Sequence, residues 1–140
     1  MKTKSLTIIL IFIATLGCKN GTKTEAISTA DNLELILNNG EKWIANKETH
    51  IGMHRMDSIL KNNRTSDGNL LGDALSKETS YIIKSCDMKG EAHDQLHVVL
   101  VPILEEITEI KDVKNASELK QKTSTLKNLI ATYFDYFKYN

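Results

Sequence analysis

One short run of the sequence carries four side chains of the kinds that bind soft and borderline metal ions. Cys86 and Met88 are followed by His93 and His97, and the two histidines are four residues apart, so both face one side of a helix. Thiolate, thioether and imidazole ligands together suit copper, above all Cu(I), whereas zinc would combine the thiol and imidazoles with a carboxylate. The run therefore predicts a transition-metal site, with copper as the first candidate and zinc as an alternative.

A second histidine pair widens the choice of ligands. His50 and His54 are also four residues apart, and we expect His50 to complete the ligand shell of the first site, although the two pairs need not belong to one site. A histidine from one helix and a methionine from another also suit haem inside a helical bundle. The chain has no Cys-x-x-Cys-His sequence, so such a haem would be held without thioether links.

The same residue types also have an ordinary structural explanation. A cysteine at a buried helical position, as expected for Cys86, usually behaves as a small hydrophobe. Met53 and Met56 recur at helical spacing and suit a hydrophobic core, and His93 near a helix start suits a hydrogen bond. A functional site therefore requires the joint placement of the candidates at one end of the fold.

No arrangement of residues in the sequence is typical of an enzyme. Ser85 has neither a base nor an oxyanion loop at a readable spacing, and no Gly-rich phosphate loop occurs. The chain has 18 basic and 18 acidic residues, so it lacks the charge imbalance of nucleic-acid-binding proteins. We therefore expect a binding protein rather than an enzyme, with no nucleic-acid partner.

Four amphipathic helices are expected to position these side chains, because apolar residues recur at three- and four-residue steps. Asn38 with Glu41, and Asn115 with Glu118, fit the capping-box pattern of a helix start. Gly90 suits the left-handed turn after a helix end. The helices are predicted over these ranges: 38 to the turn-rich loop at 62–68, 69–86, 91–113 and from 115 onward.

Short loops between four such helices predict an all-α fold, an antiparallel up-down four-helix bundle over residues 33–140. In this topology one end of the bundle collects the start of the first helix, the end of the second, the start of the third and the end of the fourth. The candidate ligands would meet there. The residues expected to line a pocket at that end are Trp43, Asn46, Tyr133 and Phe137.

The amino terminus reads as an export signal. Lys2 and Lys4 precede an apolar run over 6–13, which is shorter than the ~20 residues that a membrane-spanning helix needs. Leu16-Gly17-Cys18 then resembles the lipobox of bacterial lipoproteins, in which the cysteine is lipidated. We expect residues 1–17 to be a signal peptide and 18–32 to hold the lipidated Cys18 and a flexible tether; an ordinary secreted protein is the alternative.

Two stretches carry a wider resemblance. With Leu37-Asn38-Asn39-Gly40-Glu41-Lys42-Trp43 and Cys86-x-Met88-x-Gly90-x-x-His93-x-x-Leu96-His97, the chain resembles a group of small helical-bundle lipoproteins of Bacteroidota. That group has no assigned activity, so the resemblance implies a fold and a compartment. It implies the envelope of a Gram-negative bacterium. Residues 19–23 lack the acidic mark of surface export, which favours the periplasmic face of the outer membrane.

The leading expectation is a lipid-anchored envelope protein that binds a copper-like metal ion. The alternatives are a cofactor-free structural or protein-interaction module that contacts another envelope protein, and a haem-binding bundle.

Overall fold

The computed structural model describes residues 33–140, and its long regular elements are all helices. In chain order the four helices and the two two-residue strands are β1 (Trp43–Ile44), α1 (Lys47–Asn62), α2 (Gly68–Ser85), α3 (Gly90–Asp112), α4 (Ala116–Tyr136) and β2 (Phe137–Lys138). The prediction of an all-α chain with four helices is therefore confirmed. None of the described helices is long and apolar enough to cross a membrane. The predicted signal peptide, Cys18 and the tether lie outside the described residues.

The four helices pack in a closed order. α1 packs against α2, α2 against α3 and α3 against α4, and α4 also contacts α1. Each helix contributes its apolar stripe to one shared core. Met53 and Met56 are completely buried in it, so both are core side chains. The other fully buried apolar side chains include Leu75, Ile82, Val99, Ile103, Ile110, Leu126, Leu129 and Tyr133.

Two helices begin at side-chain caps. The Asp67 carboxylate accepts hydrogen bonds from the backbone N–H groups of Asn69 (2.9 Å) and Leu70 (3.2 Å) at the start of α2. The Asn115 side chain accepts from the backbone N–H of Glu118 (2.8 Å), as the capping pattern predicted for α4. These bonds satisfy amide groups that have no partner within the helix.

The prediction that the first helix starts at Asn38 is wrong, because α1 begins at Lys47. Asn39 and Gly40 both have positive φ, 51° and 89°, and the backbone groups of Asn38 and Glu41 hydrogen-bond to each other across them. Asn-Gly is a strong signal for a tight two-residue turn, and here it prevails over the capping pattern. In consequence Trp43 lies on a strand and not on a helix.

β1 and β2 form a short parallel pair that joins the two ends of the described chain. Trp43 is opposite Phe137 in the register, and the backbone N–H of Ala45 donates to the carbonyl of Lys138 (2.9 Å). The start of α1 and the end of α4 therefore meet at one end of the domain. The Asn46 side chain also donates to the carbonyl of Ser85, the last residue of α2 (2.9 Å). We call the end of the domain that carries β1, β2 and the end of α2 the strand end.

The opposite end, which we call the loop end, holds the α1–α2 and α3–α4 connections at 63–67 and 113–115. Gly68, the first residue of α2, lies directly against the backbone carbonyl of Ile110 near the end of α3.

At the strand end, Gly90 has the positive φ (62°) that its sequence context predicted, but it is the first residue of α3. α3 runs without a break through Pro102.

Candidate functional site

Three of the predicted metal ligands are linked by two pairwise contacts near the connection between α2 and α3. Cys86 follows the last residue of α2, and its Sγ is 3.8 Å from Nδ1 of His93 in the first turn of α3. The rings of His93 and His97 are one helical turn apart, with centroids separated by 4.4 Å. Cys86 and His93 are half-buried, whereas His97 is exposed. We call these three residues the thiol cluster.

The one sulfur–nitrogen contact of the thiol cluster is at hydrogen-bonding distance, and its 3.8 Å would also leave room for a metal ion between Cys86 Sγ and His93 Nδ1. An ion about 2.3 Å from a sulfur and about 2.0–2.1 Å from a nitrogen would join Cys86 Sγ and His93 Nδ1 at an angle of about 120°. That is the angle of a trigonal site with two imidazoles and one thiolate. Met88 lies in the connection between α2 and α3, where it packs half-buried against the core.

The thiol cluster is not a closed coordination shell. Within residues 33–140, no three His, Cys, Asp or Glu side chains are grouped closely enough to hold a metal ion as they stand. Exposed side chains change rotamer in picoseconds to nanoseconds, so the exposed ring of His97 is free to reorient. A metal site here therefore requires His97 to turn toward the sulfur of Cys86.

His50 belongs to a second group, which we call the aromatic cluster: His50, His54, Tyr133, Phe134 and Tyr139. Nδ1 of His50 lies 3.2 Å from the hydroxyl oxygen of Tyr133, and its Nε2 lies 3.2 Å from Nε2 of His54. The ring of Phe134 packs edge-on against His50, with centroids 5.7 Å apart. The ring of Tyr139 lies 6.2 Å from it.

Burial shifts the pKa of two members of the aromatic cluster, Tyr133 and His50. Tyr133 is completely buried, and desolvation raises the pKa of its phenol, so the hydroxyl stays protonated. We therefore assign it as the donor to Nδ1 of His50, whose Nε2–H then donates to His54. Burial, and secondarily the neighbouring His54, lowers the pKa of His50, which favours the neutral ring.

These contacts engage both ring nitrogens of His50. No hydrogen bond or ring contact joins it to the thiol cluster in the described part of the chain. Of the predicted ligands, the structure places Cys86 next to His93 and His93 next to His97, and it shows no contact between Cys86 and His97. Met88 stays beside them in the chain, and His50 lies elsewhere at the strand end.

No protein-family model, curated protein or solved structure matches this chain. Its function is therefore argued from its own geometry.

Trp43, Tyr133 and Phe137, predicted to line a pocket, are buried side chains of the core at the strand end. Tyr133 and Phe137 stack with ring centroids 5.0 Å apart. The indole N–H of Trp43 donates to the carbonyl of Ile36 (2.7 Å). The Asn46 side chain binds the end of α2 by donating from its amide nitrogen to the Ser85 carbonyl. The Oδ1 atom of Asn46 is buried without a partner among the described residues.

The sequence reasoning missed a concave feature at the loop end as well as a shallow groove along the exposed face of α2 between Asp73 and Lys84. A pocket of about 370 Å³ opens at the loop end, between the end of α1 and the first half of α4. Lys120, Thr123, Ser124 and Lys127 line it from one face of α4. The spacing of these residues, at three, four and seven positions from Lys120, is the only sequence pattern that could have indicated this pocket. The same spacing is typical of an ordinary solvated helix face.

Proposed function

We propose that this protein is a lipid-anchored envelope protein whose helical domain binds a copper-like transition-metal ion at the thiol cluster. The observation that carries the proposal is the 3.8 Å separation of Cys86 Sγ and His93 Nδ1, with the ring of His97 beside that of His93. Met88 supplies a weaker fourth ligand. Two imidazoles, a thiolate and a thioether form a ligand set that favours copper over the harder metal ions.

The proposal includes the arrangement of the helices as an antiparallel up-down bundle. Three contacts support it. The β1–β2 pair brings the start of α1 to the end of α4, and the Asn46–Ser85 bond brings the start of α1 to the end of α2. The contact of Gly68 with the Ile110 carbonyl brings the start of α2 to the end of α3. This topology positions Cys86 and His93 on opposite sides of one short connection.

The anchoring part of the proposal rests on the sequence. Leu16-Gly17-Cys18 supplies the lipobox-like site, and the domain begins at residue 33 after a polar segment. Multiple acyl chains on Cys18 would hold the protein to a bilayer far more firmly than one chain. The resemblance to Bacteroidota lipoproteins supports the cell envelope as its location, and the lack of acidic residues at 19–23 supports the periplasmic face of the outer membrane.

The chemistry of the proposed site is binding rather than catalysis. The metal replaces the thiol proton of Cys86, so binding releases a proton and weakens as the pH falls. His93 is held within hydrogen-bonding reach of the thiol, and His97 turns inward on binding. Zinc uses the same thiolate and imidazoles, and a carboxylate from Asp87 or Asp94 would complete its shell.

The test is thermal unfolding of residues 19–140 without the lipid, in the presence of Cu(I), Cu(II), Zn(II) or haem. A ligand that binds only the folded state at 100 times its Kd adds ~2.7 kcal/mol, which for a domain of this size raises Tm by roughly 10 °C. Cys86→Ser and His97→Ala should each abolish the rise with Cu(I). His54→Ala is the matched control, since it removes an exposed histidine of the aromatic cluster and should keep the rise. The same Tm with and without every ligand would refute the proposal.

A cofactor-free interaction module is the second candidate, and a separate observation favours it. Four large apolar side chains near the strand end are about half exposed: Ile36, Leu37, Ile44 and Tyr139. Exposed apolar groups of this kind mark contact surfaces when they are contiguous. In-cell cross-linking to envelope proteins should then be lost in Leu37→Lys and Ile44→Lys but kept in Cys86→Ser. Cross-links that survive both lysine substitutions would rule this surface out.

A further inference from the structure

The pocket at the loop end lies far from both clusters described above. Leu60 and Leu119 are almost completely buried and form its floor, and its walls come from the 63–67 loop and α4. His50 and Leu60 are ten residues apart on α1, so this pocket is about 15 Å along the helix from the aromatic cluster. Its volume of about 370 Å³ is that of a small-molecule site.

The rim of the pocket carries positive charge without compensation. Lys120 and Lys127 line it, and no acidic side chain does. Neither lysine forms an ion pair within residues 33–140. Four other lysines of the described chain do pair with carboxylates: Lys61, Lys111, Lys122 and Lys138.

Hydroxyl groups lie between the two lysines. Thr123 and Ser124 share the face of α4 that carries Lys120 and Lys127, which are two helical turns or about 10 Å apart. An anionic group between the two ammonium groups would therefore also meet hydroxyl donors. The buried leucines of the floor lie below this charged rim.

The loop wall is fixed by its own hydrogen bonds. The Asn63 side chain accepts from the backbone N–H of Thr65 (3.1 Å), and the Thr65 hydroxyl accepts from the backbone N–H of Asp67 (3.0 Å). Asp67 in turn caps α2. The pocket is thus shaped before any ligand arrives, which lowers the ordering cost of binding.

We propose that this pocket binds a small amphipathic anion, with a short apolar body on Leu60 and Leu119 and one carboxylate or phosphate head between Lys120 and Lys127. This site is independent of the metal proposed at the strand end. The two lysines select for the charge of the ligand, and the leucine floor selects for its apolar body.

The experiment is isothermal titration calorimetry on the full chain in lipid nanodiscs, with empty nanodiscs as the blank. The probes are hexanoate, hexyl phosphate, inorganic phosphate and the neutral 1-hexanol. Both hexyl anions should bind saturably, at least tenfold more tightly than inorganic phosphate or hexanol. Hexanoate and hexyl phosphate compared with each other decide between a carboxylate and a phosphate head.

Substitutions at the rim test the same site. The double variant Lys120→Gln/Lys127→Gln should weaken the binding of both anions at least tenfold with Tm unchanged. Lys47→Gln/Lys89→Gln, which removes two exposed lysines at the strand end, should leave binding as it is. The proposal is overturned if hexanol or inorganic phosphate binds as tightly as the hexyl anions, if neither hexyl anion binds, or if the rim variant binds like the unaltered protein.

Discussion

His50 and His54 face each other through their Nε2 atoms, 3.2 Å apart and one helical turn apart on α1. Only one proton fits between two such nitrogens. His50 also accepts from the buried hydroxyl of Tyr133, so both of its ring nitrogens are engaged while the ring is neutral. The lowered pKa of His50 follows from its burial first and from the charge on His54 second.

The first prediction concerns the stability of the domain on acidification. The unfolded chain protonates His50 near its ordinary pKa of 6.5, whereas the folded chain does so only at lower pH. The unfolded state therefore binds more protons, and the free energy of unfolding should fall as the pH drops below about 6.5. Urea unfolding at several pH values between 7.5 and 4.5 measures this slope.

Two substitutions identify the source of the slope. His50→Gln should remove this contribution, and His54→Gln should reduce it only in part, because burial is the larger cause of the shift. His97→Gln, at an exposed histidine outside the aromatic cluster, is the matched control. A slope that stays the same in His50→Gln would show that other groups determine it.

A buried carboxyl group on α3 should act in the opposite direction. Glu106 is only 5% exposed, and burial raises its pKa although Lys122 lies 3.8 Å away and lowers it. The folded state then keeps the proton longer than the unfolded state does. The stabilising contribution of this group is therefore present below about pH 4.5 and is lost as the pH rises through the raised pKa.

Glu106→Gln should accordingly be tolerated at pH 7 and should gain stability relative to the unaltered protein as the pH rises from 4 to 7. The expected gain is on the order of 1 kcal/mol, because the glutamine side chain, unlike the glutamate carboxylate, carries no charge that burial must desolvate. Glu109→Gln, at an exposed carboxylate that also contacts Lys122, provides the comparison. A loss of several kcal/mol at pH 7 in Glu106→Gln would mean that the ion pair with Lys122 outweighs its burial.

The helices were predictable because each carries its apolar stripe at a regular period, and the periodicity needs no tertiary information. The Asn115 cap on α4 was predictable for the same reason, since it acts within four residues of chain. The start of α1 was not, because Asn38 satisfies a capping pattern while Asn39-Gly40 satisfies a turn pattern. The Trp43–Phe137 pairing decides between them, and it joins residues from opposite ends of the domain.

The same distinction between local sequence patterns and long-range packing applies to the candidate site. Cys86, His93 and His97 are close in sequence, so their grouping followed from a short connection and a helical period. His50 had to be placed relative to them by packing, and its contact with Tyr133 lies 83 residues away along the chain. The loop-end pocket depends on how α1 meets α4, which the period of either helix does not specify.

Close packing of helix backbones gives a third prediction. A methyl group at Gly68 would collide with the backbone carbonyl of Ile110, which cannot move aside without shifting α3. One at Gly72 would meet the flexible side chain of Lys111. Gly68→Ala should therefore destabilise the domain by about 2–3 kcal/mol and Gly72→Ala by less.

The matched control for these variants is Ser80→Ala on the exposed face of α2, which should change stability by no more than about 0.5 kcal/mol. Thermal and urea unfolding measure all three. Stabilisation by Gly68→Ala, as helix propensity alone would give, would show that α2 and α3 do not approach so closely.

Phe137, in the strand β2 near the end of the chain, should contribute strongly to the stability of the domain. Phe137 is 1% exposed, stacks on Tyr133 and pairs with Trp43 across the two strands. Phe137→Ala should cost about 3–5 kcal/mol, because it leaves a cavity beneath the β1–β2 pair. Tyr139→Ala, two residues on and half exposed, should cost less than about 1 kcal/mol. Equal losses in the two variants would contradict the burial of Phe137, whereas the expected difference would establish that β2 closes the core at the strand end.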